Sequence, residues 1–149
     1  MPGDRLLLDS SALISYLEAS DPAGVVAIEV IDGFVRSGRN SAVVSTVTVT
    51  ELLVHPLRAG RTQTYRELID LLRYFPNLHL RGVDFDVAET AARLRAEHGL
   101  RTPDALIVAT GLVGAVPHLV TNDKEWRRRL QPLQEKVAVR HLASYLPFS

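Results

Sequence analysis

Four acidic residues in this chain are spaced so that they could share one task. Asp9 follows the apolar run Arg5-Leu6-Leu7-Leu8, and Glu51 follows the β-branched stretch that begins at Ala42. Asp123 follows His118-Leu119-Val120-Thr121, and Asp104 sits at the head of the apolar segment that leads into that last run. Carboxylates brought within a few ångströms repel one another and are driven to protonate. A bound cation removes that penalty, and oxygen-only ligands in a chain without cysteine suit Mg²⁺ or Mn²⁺ rather than zinc. Such a centre lowers the pKa of a bound water and neutralises charge on a phosphodiester under in-line attack.

Each acid also has an ordinary explanation. Asp9 can cap a helix, Glu51 and Asp104 can be first-turn acids, and Asp123 can stabilise a turn through its own backbone. Singly, those explanations are favoured; four acids at the ends of successive elements shift the balance toward a shared site. No side-chain nucleophile competes for the role. The chain has no G-x-S-x-G elbow and no Walker A lysine, and Gly111-Leu112-Val113-Gly114 lies in or just after a helix. The histidines (His55, His79, His98, His118, His141) show no H-x-x-x-H or H-x-H spacing, and only His55, four residues after Glu51, shares a helical face with an acid.

The elements that must position these acids are legible from periodicity. Arg5 to Asp9 reads as a strand, and Ser10-Ser11 opens a helix through Glu18. Asp21-Pro22 starts a second helix, with Val25, Ile28, Ile31 and Val35 at helical spacing and Gly38 closing it. Ala42 to Thr46 reads as a second strand. Thr46 to Thr50 alternates like a continuing strand, yet Glu51 to Val54 before Pro56 looks like a helix end, so the switch is placed near Thr46. Thr62 to Phe75 is an amphipathic helix stopped by Pro76, Leu78 to Arg81 a third strand, and Asp86 to His98 an Ala-rich helix ended by Gly99. Thr102 is suited to cap the next helix, with Pro103 in its first position and Asp104 in its first turn. Ala105 to Val113 is apolar on almost every face and so predicts a buried helix. His118 to Thr121 is a strand running into the turn Asn122-Asp123-Lys124, and Val137 to Arg140 a final strand.

Helices alternating with short apolar strands predict a single-domain α/β sandwich over residues 1–149 with a mainly parallel sheet. In such sheets the carboxyl ends of the strands face a common crevice, where acids distant in sequence can meet.

Composition bounds the partners. The 17 basic and 17 acidic residues cancel, which argues against a polybasic nucleic-acid binder and makes any contact with a polyanion local. Among the basic residues only Lys124 and Lys136 are lysines, which leaves little scope for lysine chemistry. The absence of cysteine removes disulfides, thiolate metal sites and cysteine nucleophiles. Charges interrupt the apolar N-terminal stretch, and no run is long enough to span a membrane, so a cytoplasmic protein without membrane contact is expected.

The stretches LLLDSSALI, VVST followed by Glu51-Leu52, TPDALIVAT and LVTNDKEW resemble the four acidic motifs of PIN-domain ribonucleases, and within them the VapC-type toxins of bacterial toxin–antitoxin pairs. The resemblance spans the whole chain. It implies that Asp9, Glu51, Asp104 and Asp123 are the metal-binding and catalytic acids, holding Mg²⁺ or Mn²⁺. It also implies a three-layer sandwich with sheet order 3-2-1-4-5, a homodimer, an RNA substrate and a cognate antitoxin whose C-terminal segment covers the acidic groove. Ser11 matches a position where the family often has a hydroxyl near the metal, and Thr121 or Asn122 fits a similar polar role. Arg127, Arg128 and Arg129 directly follow Asp123 and are candidate phosphate contacts, although a solvated helix face explains at least two of them. Two other readings stay open: a PIN-like fold kept only as a catalytically silent binding module, and a phosphotransfer domain. The second is the weaker, because a haloacid-type phosphatase needs D-x-D where this chain has Asp9-Ser10-Ser11, and a receiver needs a late lysine that only Lys124 could provide.

Overall fold

A computed structural model describes residues 3–18 and 22–142. Its frame is five short strands, β1 (Leu6–Leu8), β2 (Ala42–Ser45), β3 (Leu78–Arg81), β4 (His118–Thr121) and β5 (Ala138–His141). They pair in the order β3-β2-β1-β4-β5, and every pair is parallel. That is the sheet the resemblance implies. At its centre, Leu7 lies in register with Val43 on one side and Leu119 on the other.

The period-two alternation of β1 divides the core. Leu6 and Leu8 point to one face, where they join Ala12 and Leu13 of α1 (Ser10–Glu18), Val26 and Val30 of α2 (Pro22–Val30), and Leu68 and Leu71 of α4 (Thr62–Tyr74). Leu7 points to the other face, against Val87 and Ala91 of α5 (Phe85–His98), Ile107 and Val108 of α6 (Thr102–Val113), and Trp126 of α7 (Glu125–Arg129). Helix, sheet, helix: the three-layer sandwich is produced by strands apolar on both faces, as buried parallel strands must be. Gly111 of α6 lies against Leu7, whose Cδ2 would be 3.1 Å from a Cβ at that position. This glycine serves close helix-to-sheet packing and is no part of a phosphate loop.

The strand-to-helix switch falls at Thr46, where it was expected: α3 (Thr46–Arg58) begins there, and the Ser45 side chain caps it by accepting from the Val47 N–H. Other boundaries shift. Pro56 does not end this helix but lies within it, and the helix stops two residues later, before Gly60 at φ 65°. Thr102 is not a cap: Arg101 holds the N-cap position without a side-chain bond, and Thr102 and Pro103 begin α6 itself. The second helix passes at Ile31 into a six-residue π-helical segment ending at Arg36. Its buried stripe is Val26, Ala27, Val30, Ile31 and Val35, whereas Val25 and Ile28 are exposed. An almost wholly apolar helix has no polar face from which a stripe can be chosen. Asp84 caps α5 by accepting from the Val87 N–H, and Gly99 closes it in the left-handed region at φ 67°. Asp21 lies outside the described residues. Among those described, no helix is long and apolar enough to cross a membrane.

Candidate active site

The carboxyl ends of β1, β2 and β4 open toward one side, and the residues that follow them form a small pocket of about 110 Å³. Asp9, Glu51, Asp104 and Asp123 all line it, together with Ser11, Arg101, Trp126 and Arg129. The four acids come from the start of α1, the second turn of α3, the first turn of α6 and the turn after β4. Glu51 is therefore not a first-turn acid, since α3 begins five residues earlier and its first turn carries no acid.

Asp9 is the buried anchor, only 3% exposed. Its Oδ1 accepts from the Ser11 hydroxyl at 2.7 Å and the Ala12 N–H at 3.0 Å, the second being the helix cap expected of an aspartate there. Its Oδ2 accepts from the Thr121 hydroxyl at 2.5 Å and the Trp126 indole N–H at 2.9 Å. Burial pushes the Asp9 carboxyl above the usual carboxylate range, and the four hydrogen bonds offset only part of that rise. Cap and site residue are thus one side chain. Ser11 also accepts from the Asn122 N–H, and Thr121 from the Asp123 N–H, so these hydroxyls tie the β4 turn to α1. The Asn122 side chain reaches Ser15 instead of the pocket.

The Glu51 side chain makes no hydrogen bond or ion pair within the described residues. Partial desolvation on the pocket wall, then the charges of Asp104 and Asp9, push its carboxyl up, while Arg101 acts the other way. Asp104 is 7% exposed at its side chain, and its Oδ2 meets two guanidinium groups: Arg101 through Nε and Nη2 at 3.3 Å each, and Arg129 through Nη1 at 3.4 Å. Asp123 is more open, and its Oδ2 accepts from Arg129 Nη2 at 3.2 Å. The Arg129 guanidinium also lies over the Trp126 ring, 5.0 Å from its centroid.

Of the three consecutive arginines, then, one enters the site. Arg128 pairs with Glu125 on the surface and Arg127 is exposed along a different groove. His55 lines an apolar groove with Ile14, Leu17 and Leu52, away from the acids. Two site residues escaped the sequence reading. Arg101 precedes Asp104 by three, a helical ion-pair spacing that could have flagged it. Trp126 follows Asp123 by three, and nothing in the pattern announces that its indole reaches back to Asp9.

Among the described residues no three acidic or imidazole groups are gathered tightly enough to form a finished cation cage. The donor set nevertheless suits a hard divalent cation: it is all oxygen, and Asp104 and Asp123 already turn one oxygen each toward a shared positive charge.

Residues 6–129 match the PIN domain. No curated protein matches the chain significantly in sequence. Solved structures with a similar fold include a toxin–antitoxin complex from Klebsiella pneumoniae, at 21% identity and TM-score 0.65, covering 92% of this chain and 97% of the other. VapBC2 from Rickettsia felis, bound to a DNA fragment from its promoter, superposes at 15% identity and TM-score 0.68, covering 92% and 98%. The sarcin–ricin-loop-cleaving toxin VapC20 of Mycobacterium tuberculosis does so at 14% identity and TM-score 0.68, covering 83% and 93%.

Proposed function

The chain belongs to the PIN domain family, and from that premise we propose that it is a metal-dependent endoribonuclease and the toxin of a toxin–antitoxin pair. The observation that carries the reading is the convergence of Asp9, Glu51, Asp104 and Asp123, from four separate elements, on one pocket at the carboxyl edge of the sheet. The toxin–antitoxin character of the similar structures supports the biological half of the proposal.

Glu51, Asp104 and Asp123, with Asp9 behind them, would hold one or two Mg²⁺ or Mn²⁺ ions. Bound there, the cation supplies an acidified water and neutralises charge building on the phosphate. The protein's own part is positional. Asp9 locks α1, the β4 turn and Trp126 into one unit, which fixes the spacing of the other acids. The Glu51 side chain, which pairs with no other described residue, is free to turn to that cation, and the attacking water gives up its proton to solvent. The water oxygen joins phosphorus, the bond to the 3′ oxygen breaks, and that oxygen takes a proton from solvent water to leave as a hydroxyl. The products carry 5′-phosphate and 3′-hydroxyl ends, and the RNA 2′-hydroxyl takes no part. As the toxin, the protein forms a homodimer, and an antitoxin segment covers the acidic pocket.

The test is cleavage of transfer, ribosomal and messenger RNA by purified protein with Mg²⁺ or Mn²⁺, with chelator, and with Asp104→Asn and Asp123→Asn. The proposal requires cutting that needs metal, falls by about 100-fold or more in each variant, and leaves 5′-phosphate ends. Cutting that persists in chelator, or equal cutting by the variants, overturns it. Inertness toward every RNA with metal bound points to a silent PIN-like binding module.

A further inference from the structure

Arg129 stands where the site needs a positive charge. Its guanidinium touches Oδ2 of both Asp104 and Asp123, the two acids brought together by α6 and the β4 turn. These contacts, at 3.4 and 3.2 Å, are long for charge-assisted hydrogen bonds, which close to about 2.7–2.9 Å. Arg129 is therefore held by charge and by the Trp126 ring more than by tight hydrogen-bond geometry. It also borders a second, larger cavity of about 470 Å³, whose wall carries His98, Arg101 and Arg128 together with Asp104 itself. The Arg129 side chain thus lines both spaces at once, the acid pocket and the cavity beside it.

We infer that Arg129 is a displaceable internal counter-cation. In the metal-free protein it offsets the repulsion between Asp104 and Asp123. A divalent cation, doubly charged and smaller, takes its place, and the released guanidinium turns to the neighbouring cavity to contact an RNA phosphate beside the one being cleaved. The acid pocket and its phosphate contact are thereby coupled: the arginine serves the substrate only once the cation has evicted it. This rests on the metal-dependent nuclease reading above.

The two roles have opposite signs, which a merely structural arginine would not produce. Removing the competitor strengthens metal binding, and removing the phosphate contact weakens RNA binding. Mn²⁺ affinity, measured without RNA by electron paramagnetic resonance, is expected to rise about tenfold in Arg129→Gln. Arg129→Lys, which keeps the charge and is less disruptive should the glutamine fail to fold, lies between that variant and wild type. The fluorescence of Trp126, the only tryptophan, follows the same displacement. At saturating Mn²⁺ the KM for RNA rises several-fold in Arg129→Gln, with kcat within about threefold of wild type. Arg128→Gln makes the same change in net charge on the same helix, from an exposed side chain, and leaves Mn²⁺ affinity unaltered.

If wild type binds Mn²⁺ and Arg129→Gln binds it no more tightly, the counter-cation role is overturned and the nuclease reading stands. If Arg128→Gln tightens binding equally, the effect is one of net charge and the inference is again overturned. If neither wild type nor any variant binds Mn²⁺, both readings fall together.

Discussion

Replacing Asp9 by asparagine, a common choice for silencing an acidic nuclease, is expected to disturb the fold as well as the chemistry. The carboxylate accepts four hydrogen bonds, two at each oxygen. An asparagine has one acceptor oxygen and one amide nitrogen, so two donors must face an NH₂ group whichever way it is turned. With the oxygen toward Ser11 and Ala12, the amide meets the Thr121 hydroxyl, which can rotate to accept, and the Trp126 N–H, which cannot. With the amide reversed, the Ser11 hydroxyl adapts and the Ala12 N–H cannot. Each orientation leaves one rigid, buried N–H unpaired, at a cost of about 1–3 kcal/mol. Removing a buried charge returns part of this, because burial already holds the Asp9 carboxyl above its ordinary range. The net expectation is a loss of about 1–2 kcal/mol in metal-free protein, seen as a fall of roughly 2–4 °C in Tm per kcal/mol for a chain of this size. The assay is a double-mutant cycle with Trp126→Phe, followed by chemical denaturation. In the Asp9→Asn background the phenylalanine removes the orphaned donor, so the two changes together cost less than their sum, by about 0.5–3 kcal/mol. Strict additivity, or an Asp9→Asn protein as stable as wild type, refutes the reasoning.

Further outcomes follow from the same geometry. Asp9 and Glu51 have raised folded-state pKa values, so the folded protein binds their protons more tightly than the unfolded chain. Their contribution is full below the ordinary carboxylate range and is lost as pH rises through the raised values. In chelator, denaturant midpoints taken between pH 4 and pH 7 should therefore show Glu51→Gln gaining on wild type as pH rises; a widening wild-type advantage would contradict the assignment. Gly111→Val forces a side chain against Leu7, where even a Cβ would sit at 3.1 Å, and is expected to cost about 1–3 kcal/mol by thermal melting. At Gly33 a Cβ meets nothing within 4 Å, so Gly33→Ala should be neutral or stabilising by up to about 1 kcal/mol.

Much of this protein was legible in its residues because local rules agree with the fold. Leu6-Leu7-Leu8 and Ala42-Val43-Val44 are apolar on both faces, as strands of a parallel sheet buried on both sides must be. Asp9 stands at the end of the first of these strands because a strand-to-helix turn calls for a cap, and the same side chain lines the acid pocket. Where local signals conflicted, from Thr46 to Pro56, the deciding factor was tertiary: the Thr46–Arg58 helix packs Leu52 into the core, and that burial carries it past Pro56. The choice among three adjacent arginines also lay beyond the sequence. Residues Arg127, Arg128 and Arg129 are chemically identical, and a 100° step along a five-residue helix sends Arg128 to Glu125 at the surface and Arg129 into the acids. Trp126 is the extreme case, since its bond to Asp9 spans 117 positions and exists only because β1 and β4 are neighbours in the sheet. Spacing along the chain can nominate acids for a site; which cation and which indole meet them depends on strand order and helix phase, and those are settled only when the whole sheet is assembled.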